Sequence, residues 1–332
     1  MTNRERFQAV LNGEKPDRLP MIEWASWWDQ TIARWLEQGL PQECTDFHKC
    51  FAYYGLDDIW QFWFNHRAPG YPYPTEFGHE VISDENDYNE IKKYLFSEDV
   101  LREQIEAIKA VKPYHDRGDF PIWYTLEGFF WFPRTLFGIE NHLYAFYDYP
   151  ELMHRINQDQ AAFSMRFLEE LYKVLTPEFM TFAEDMSYNH GPMLSKDCYD
   201  EFVMPYYKQL IPFIKEHGTK VLIDTDGDVE PLIPWFQEAG IEGVLPLERQ
   251  AGVDVNRIRE KYPEWIMIGS YDKTIMHKGE EAMRKEFERV FPAMKSGRYI
   301  PAVDHQTPPD VTIENYRIYV KLLKEYTALA VK

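Results

Sequence analysis

Cysteine is scarce in this 332-residue chain: Cys44, Cys50 and Cys198 are odd in number and lack the C-x2-C spacing of a structural zinc site. That scarcity excludes a disulfide framework or a zinc ribbon, and the thiols read as buried apolar groups. No run of about twenty apolar residues is present, so no membrane span is expected. The opening Met1-Thr-Asn-Arg-Glu-Arg6 lacks the apolar stretch of a secretory leader, and a cytoplasmic location is the expectation. Basic charge is also in deficit: 36 Lys and Arg against 55 Asp and Glu give a formal charge of -19. Such a surface repels phosphate backbones and anionic lipid, which argues against nucleic acid or a membrane as partner. Low-complexity tracts, fixed-period repeats and Gly/Ser linkers are missing, so one domain spanning residues 1–332 is expected.

Aromatic residues, by contrast, are abundant at 16% of the chain. They concentrate between Trp24 and Trp35, between Trp60 and Phe64, and from Phe129 to Phe132. Core packing is the first reading of these clusters; a pocket wall for a flat or methylated ligand is the second. The organising pattern is alternation. Short apolar runs at Leu19–Trp24, Asp58–Phe64, Phe120–Thr125, Glu178–Ala183, Thr219–Ile223, Gly243–Leu247, Trp265–Gly269 and Tyr299–Val303 read as strands. Between them lie amphipathic stretches, among them Asp99–Lys112, Arg134–Leu175, Ser195–His217, Glu280–Met294 and Thr312–Leu329. Strands separated by helices of this length imply βαβ units and a parallel sheet, and a (β/α)8 TIM barrel accounts best for them. A doubly wound open sheet is the alternative, but no G-x-G-x-x-G or P-loop follows any predicted strand.

In such a barrel the chemistry sits just beyond the strand ends. The polar residues there are Glu127, Glu184 and Asp185, Asp224 and Asp226, Glu248 and Arg249, Tyr271 and Asp272, and Asp304 with His305. Crowded carboxylates raise one another's pKa unless a cation is present, and a divalent metal would relieve the repulsion. Each has a structural alternative: Asp224-Thr-Asp-Gly-Asp228 reads equally as a turn in which Asp228 caps the next helix, Glu184-Asp185 as a loop brace, and Arg249 as a neutraliser of Glu248. Asp304 beside His305 suggests an imidazole whose tautomer is fixed for proton transfer or metal ligation.

Several blocks together resemble the uroporphyrinogen decarboxylase superfamily: Asn3-Arg-Glu-Arg-Phe7 with Gly13-Glu-Lys-Pro-Asp-Arg-Leu-Pro20, Ala183-Glu-Asp-Met-Ser187, Ile268-Gly-Ser-Tyr-Asp272, and Pro301-Ala-Val-Asp-His305 with Pro309-Asp310. The resemblance implies the same barrel fold. It also implies one of two chemistries, decarboxylation or methyl transfer between a small substrate, a corrinoid protein and a thiol, with homodimers common. The arginine-rich motif by which the decarboxylases hold their tetrapyrrole is replaced by Met21-Ile-Glu-Trp-Ala-Ser-Trp-Trp28, and their Phe-Ser-Asp by Phe62-Trp63-Phe64. Their catalytic Tyr has no counterpart near Arg134–Phe137. An arginine-poor, acidic pocket is a poor receptor for a substrate with many carboxylates. The zinc-binding His-x-Cys-Gly of the thiol methyltransferases aligns with Asp224-Thr-Asp226-Gly227, and their later Cys with His305. The resemblance thus implies Asp224, Asp226 and His305 as ligands of zinc or a harder divalent ion, completed by Glu184 or Glu248.

The function expected on this basis is methyl transfer from a small methylated compound, with the corrinoid carried by a partner protein. Trp24, Trp27, Trp63, Glu127, Trp131 and Tyr271 are expected to wall the substrate, and His305, Asp304, Glu248 and Glu184 to act in catalysis. Without a metal, His305 with Asp304 would be the general acid and Asp226 a cation-stabilising carboxylate of a decarboxylase-like lyase. A barrel that binds a ligand or a corrinoid partner without catalysis is the third reading.

Overall fold

The computed structural model describes residues 1–25 and 27–332. Its centre is a curled parallel sheet of seven strands: β1 (Trp60–Trp63), β2 (Ile122–Glu127), β3 (Phe179–Ala183), β6 (Lys220–Asp224), β7 (Gly243–Leu245), β8 (Ile266–Tyr271) and β9 (Tyr299–Val303), adjacent in that order. A short antiparallel ribbon, β4 (Ser187–Tyr188) with β5 (Gly191–Pro192), comes after β3. Strands β2, β3, β8 and β9 are buried along their whole length, which is why they read as continuous apolar runs. In β1 burial alternates: Gln61 and Trp63 are exposed, while Trp60 and Phe62 pack against neighbouring aromatics. The register sets Glu127, Ala183 and Asp224 side by side across three strands, so the carboxyl ends of β2, β3 and β6 finish level.

The predicted first strand, Leu19–Trp24, is not a strand. The segment carries no ladder, yet it reaches toward both edges of the sheet. Near β1, Asp57 exchanges hydrogen bonds with the Met21 backbone (2.8 and 2.9 Å). Near β9, the Val303 N–H donates to Glu23 Oε2 (3.2 Å) and the Trp24 indole N–H donates to the Val303 carbonyl (2.9 Å). Side chains therefore take the place that a backbone ladder would fill, and the sheet is curled around without being closed by strand pairing.

Two long helical predictions are subdivided. The stretch from Arg134 to Leu175 forms helices Trp131–Phe137, Ile139–Asp148 and Pro150–Val174. Gly138 ends the first at φ 76°, and Pro150 opens the third, where a missing N–H costs nothing. Likewise Pro205 lies in the first turn of Met204–Glu216, separating it from Lys196–Phe202. Among the described residues no helix is long and apolar enough to cross a membrane.

Candidate functional site

Beyond the ends of β1, β2, β3, β6 and β9 opens a cavity of about 330 Å³. One side is acidic. Asp224, the last residue of β6, has no hydrogen-bond partner for its carboxylate among the described residues, and burial with the nearby Asp185 and Asp226 charges pushes its pKa well up. Asp226 comes next in a turn pinned from several directions. The Thr225 N–H donates to the Leu245 carbonyl (3.1 Å), the Gly227 N–H to Glu248 Oε2 (3.1 Å) and the Asp228 N–H to the Tyr188 carbonyl (2.9 Å). Gly227 is required here: its φ is 84°, and a Cβ would lie 2.6 Å from the Tyr188 backbone. Burial, then Asp185 and Glu248, push Asp226 up to about 8. Asp185, raised by burial, holds a left-handed φ of 42° and accepts the Asp226 N–H (3.4 Å). Asp228 takes its structural role, accepting from the Glu230 N–H (3.2 Å).

His305 stands opposite. Its Nδ1 accepts the Gln306 N–H (2.8 Å), so the neutral ring carries its proton on Nε2, 3.8 Å from Asp226 Oδ2. Burial, and then Lys273, lower its pKa. The expected link to Asp304 is not made. The Asp304 carboxylate is fully buried and accepts the backbone N–H groups of Arg249 (3.0 Å) and Lys273 (3.1 Å), tying two loops together, with burial pushing its pKa up to about 6. Glu248, similarly, holds the Gly227 backbone and lies 3.7 Å from Lys273 Nζ. Arg249 does not neutralise it; Arg249 pairs with Asp254 instead, at 3.5 Å.

Glu184 borders the cavity, but its oxygens are engaged behind the wall. They accept the N–H groups of Phe129 (2.8 Å), Phe130 (2.8 Å) and Trp131 (2.9 Å) and the Tyr207 hydroxyl. Burial outweighs these donors and pushes Glu184 up to about 7. Gly128 makes the arrangement possible, since a Cβ there would sit 2.0 Å from the Glu184 carboxyl carbon. Glu184 thereby fixes the backbone that presents Trp131.

Of the expected aromatic walls, Trp24, Trp63 and Trp131 line the cavity, with Trp24 edge-on to the His305 ring at 5.5 Å. Trp27 does not: it packs among Trp35, Phe47, Phe51, Tyr54 and Tyr316. Tyr271 does not either; it lies in the core against Phe287 and Tyr319 with its hydroxyl on the Met283 carbonyl (3.1 Å). Glu127 faces an adjoining cavity, where its buried carboxylate binds His66 (2.9 Å) and Arg67 (2.9 Å), and stays ionised with a pKa lowered to about 2 as these partners, Arg67 foremost, overcome burial.

The predicted ligand set does not converge on a metal. Among the described residues no three His, Cys, Asp or Glu side chains lie close enough to hold an ion. The hydrogen bond at His305 Nδ1 also turns an N–H, rather than a lone pair, toward Asp226. The residues as placed do not fit a divalent ion.

Trp123, Gln61 and Gln306 also line the cavity, beyond the residues the sequence predicts. Gln61 donates to Thr125 Oγ1 (2.8 Å) and the Trp123 indole to Thr181 Oγ1 (2.9 Å), a polar layer beneath the acids. Period-two alternation in β1 and β2 would have flagged Gln61 and Trp123 as inward-facing; nothing in the sequence distinguishes Gln306.

A family model described as uroporphyrinogen decarboxylase (URO-D) matches residues 71–326 of this chain. The chain belongs to that family. Curated uroporphyrinogen decarboxylases are distant relatives: that of Campylobacter jejuni subsp. jejuni is 21% identical over 267 residues, covering 78% of this chain and 72% of that one. That of Chloroherpeton thalassium is 23% identical over 205 residues, covering 57% of this chain and 54% of that one, so this match spans about half the relative's length. Among solved structures, a methyltransferase from Methanosarcina mazei superposes with a TM-score of 0.64 at 16% identity, covering 98% of this chain and 99% of that one. At such identity the likeness shows a shared fold.

Proposed function

We propose that this chain transfers a methyl group from a small methylated compound, in the cavity between His305 and the Asp224–Asp226 turn, to a corrinoid presented by a partner protein. One observation carries the reading: the cavity is walled by Trp24, Trp63, Trp123 and Trp131 and by Glu184, Asp185, Asp224 and Asp226, with no Lys or Arg among its described lining residues. A tetrapyrrole with many carboxylates would find no guanidinium or ammonium there to pair with. A methyl group on an electron-poor centre meets the opposite: aromatic faces and carboxylates both favour positive charge at the donor atom. The Methanosarcina mazei neighbour, described as a methyltransferase, supports the reading.

The chain's own groups divide the work. The tryptophans exclude water and hold the methyl-bearing atom. Asp224 and Asp226 are held protonated in the empty cavity by burial and mutual repulsion; a cationic donor favours their ionisation, and they then supply negative potential, while His305 Nε2 holds a proton within reach of a departing group. The cavity, at about 330 Å³, holds a small donor but not a corrinoid macrocycle, so the acceptor has to meet the donor at the mouth. When presented there, the corrinoid supplies the methyl-accepting cobalt. In the same proposal the fold is an eight-membered barrel whose eighth position is the unladdered Leu19–Trp24 segment.

A second reading, a decarboxylase-like lyase on another acid, has one observation in its favour: Asp226, pushed up to about 8, is a carboxylic acid at neutral pH and so a proton donor beside His305. The two readings separate when the protein is incubated with free cob(I)alamin and a panel of methylated amines, ethers and thioethers. Appearance of the methylcobalamin spectrum, lost in Asp226→Ala, is the expected result. Carbon dioxide release from small carboxylic acids, with no methylcobalamin from any donor, would select the lyase.

A further inference from the structure

A second cavity, of about 290 Å³, adjoins the acidic one and shares Trp63 and Trp131 with it. Its walls are largely apolar, from Tyr71, Phe77 and Ile139, and its charges differ in kind from those next door. Arg67 is neutralised by Glu127 (2.9 Å). Arg134 has no carboxylate within 4.0 Å among the described residues; it spends one N–H on the Asp185 carbonyl (3.1 Å) and stacks over Trp131 at 5.1 Å. The Asp185 carboxylate acts on it only at longer range. A half-buried guanidinium with unused donors, facing an apolar cavity, presents a fork shaped to bind a planar anion.

We infer that the two cavities form one bipolar cleft, which takes a small dipolar ligand with an anionic group on Arg134 and a methylated ammonium among the tryptophans beside Asp224 and Asp226. The inference rests on the methyl-transfer reading for its choice of methylated group, but not for the binding itself. Aromatic faces and carboxylates together are the environment that recognises a quaternary nitrogen, which cannot itself donate a hydrogen bond. The Arg134 contact with the Asp185 backbone places the anion end next to the acidic turn, so the two ligand charges are separated by a short chain. Further acidic groups on a substrate find no second free cation among the described lining residues, since Arg67 is taken by Glu127, and simple methylated cations leave Arg134 unused.

The test is equilibrium titration of the full chain, followed by tryptophan fluorescence, with no methyl acceptor present. The probes are N,N,N-trimethyl amino acids with one to four methylenes between nitrogen and carboxylate, tetramethylammonium, and tert-butylacetate, which keeps the shape and the carboxylate but not the cation. At least one trimethyl amino acid is expected to bind about tenfold or more tightly than both single-charge controls. Arg134→Gln should reduce that ligand to the affinity of tetramethylammonium and leave tetramethylammonium itself unchanged, which also shows the variant's site is folded; Arg134→Lys should recover part of the loss. Equal binding of all probes, no binding of any ammonium, or an advantage that survives Arg134→Gln overturns the inference. If the expected ranking is found but no bound ligand methylates cob(I)alamin, the methyl-transfer reading falls while the bipolar cleft stands.

Discussion

At the scale of single residues, the acids in and around the cavity fall into two groups distinguished by their hydrogen bonds. Asp224 and Asp226 have few partners and face the ligand space, whereas Glu184, Asp304 and Glu248 use their oxygens to hold backbone. Substitutions should separate the groups. Asp224→Asn keeps shape but cannot ionise when a cation enters, and is expected to lower kcat/KM for methyl transfer about 100-fold, the size typical of losing one preorganised electrostatic contact, without lowering the denaturation midpoint at neutral pH. Glu184→Gln puts an amide NH2 against backbone N–H donors, so it is expected to cost about 2 kcal/mol in urea denaturation. Gly128→Ala should destabilise at least as much, since its methyl would occupy the space of the Glu184 carboxylate. A Glu184→Gln protein as stable as the parent would show that the carboxylate is not the brace it is taken to be.

At the scale of elements, the Leu19–Trp24 segment depends on Asp57. That buried carboxylate takes two hydrogen bonds from the Arg18 guanidinium and one from the Met21 N–H (2.9 Å). Asp57→Asn leaves Arg18 without its counter-charge and should cost about 3 kcal/mol, the lower range for breaking a buried pair. It should also red-shift the emission of Trp24 as the segment loosens. This segment shows where sequence reading stops. Its apolar run has strand periodicity, but whether a run joins a ladder is decided by neighbours hundreds of residues away, here Val303 engaged by Glu23 and Trp24 side chains. Most of the other strands are legible because burial on both faces forces apolar runs, and the run at Tyr299–Val303 coincides with β9; β1, half exposed, is legible through its aromatic residues. Helices were legible in place but not in number, since a single Gly138 or Pro150 divides a continuous amphipathic pattern. Strand-end acids are legible because a curled parallel sheet displays the residues just beyond the carboxyl end of each strand. Which of them turn inward depends on side-chain direction: Tyr271 ends β8 and points into the core, while Arg134 reaches its cavity from a helix and not from a strand end.

For the whole molecule, the acids raised by burial set the pH at which the fold is most stable. Glu23 is fully buried, and burial outweighs hydrogen bonds from Tyr316 and Val303 to push it up to about 8; Glu184 is pushed up to about 7. In the native state near neutrality Glu23 is protonated and Glu184 roughly half so, whereas both ionise when the chain unfolds, because an unperturbed Glu titrates near 4.3. The native state then binds more protons than the unfolded one, so stability falls as pH rises. The contribution of each is complete below about pH 4 and is lost progressively as pH climbs through about 7 for Glu184 and about 8 for Glu23. Across that window each group costs about 1.4 kcal/mol per pH unit. Glu127 works in the other direction: its pKa lowered to about 2 gives stability present above about 4 and lost as pH falls toward 2. The two trends place the optimum near pH 5, below the usual neutral range. Urea midpoints measured at pH 5, 7 and 9 should therefore decline in that order. Glu23→Gln, which keeps the shape of the neutral acid and cannot ionise, should flatten the decline between pH 5 and 8 even where it lowers the midpoint at pH 5. A midpoint that rises from pH 5 to 9 would mean that Glu23 and Glu184 are held as carboxylates in the folded protein, and that their hydrogen bonds outweigh burial.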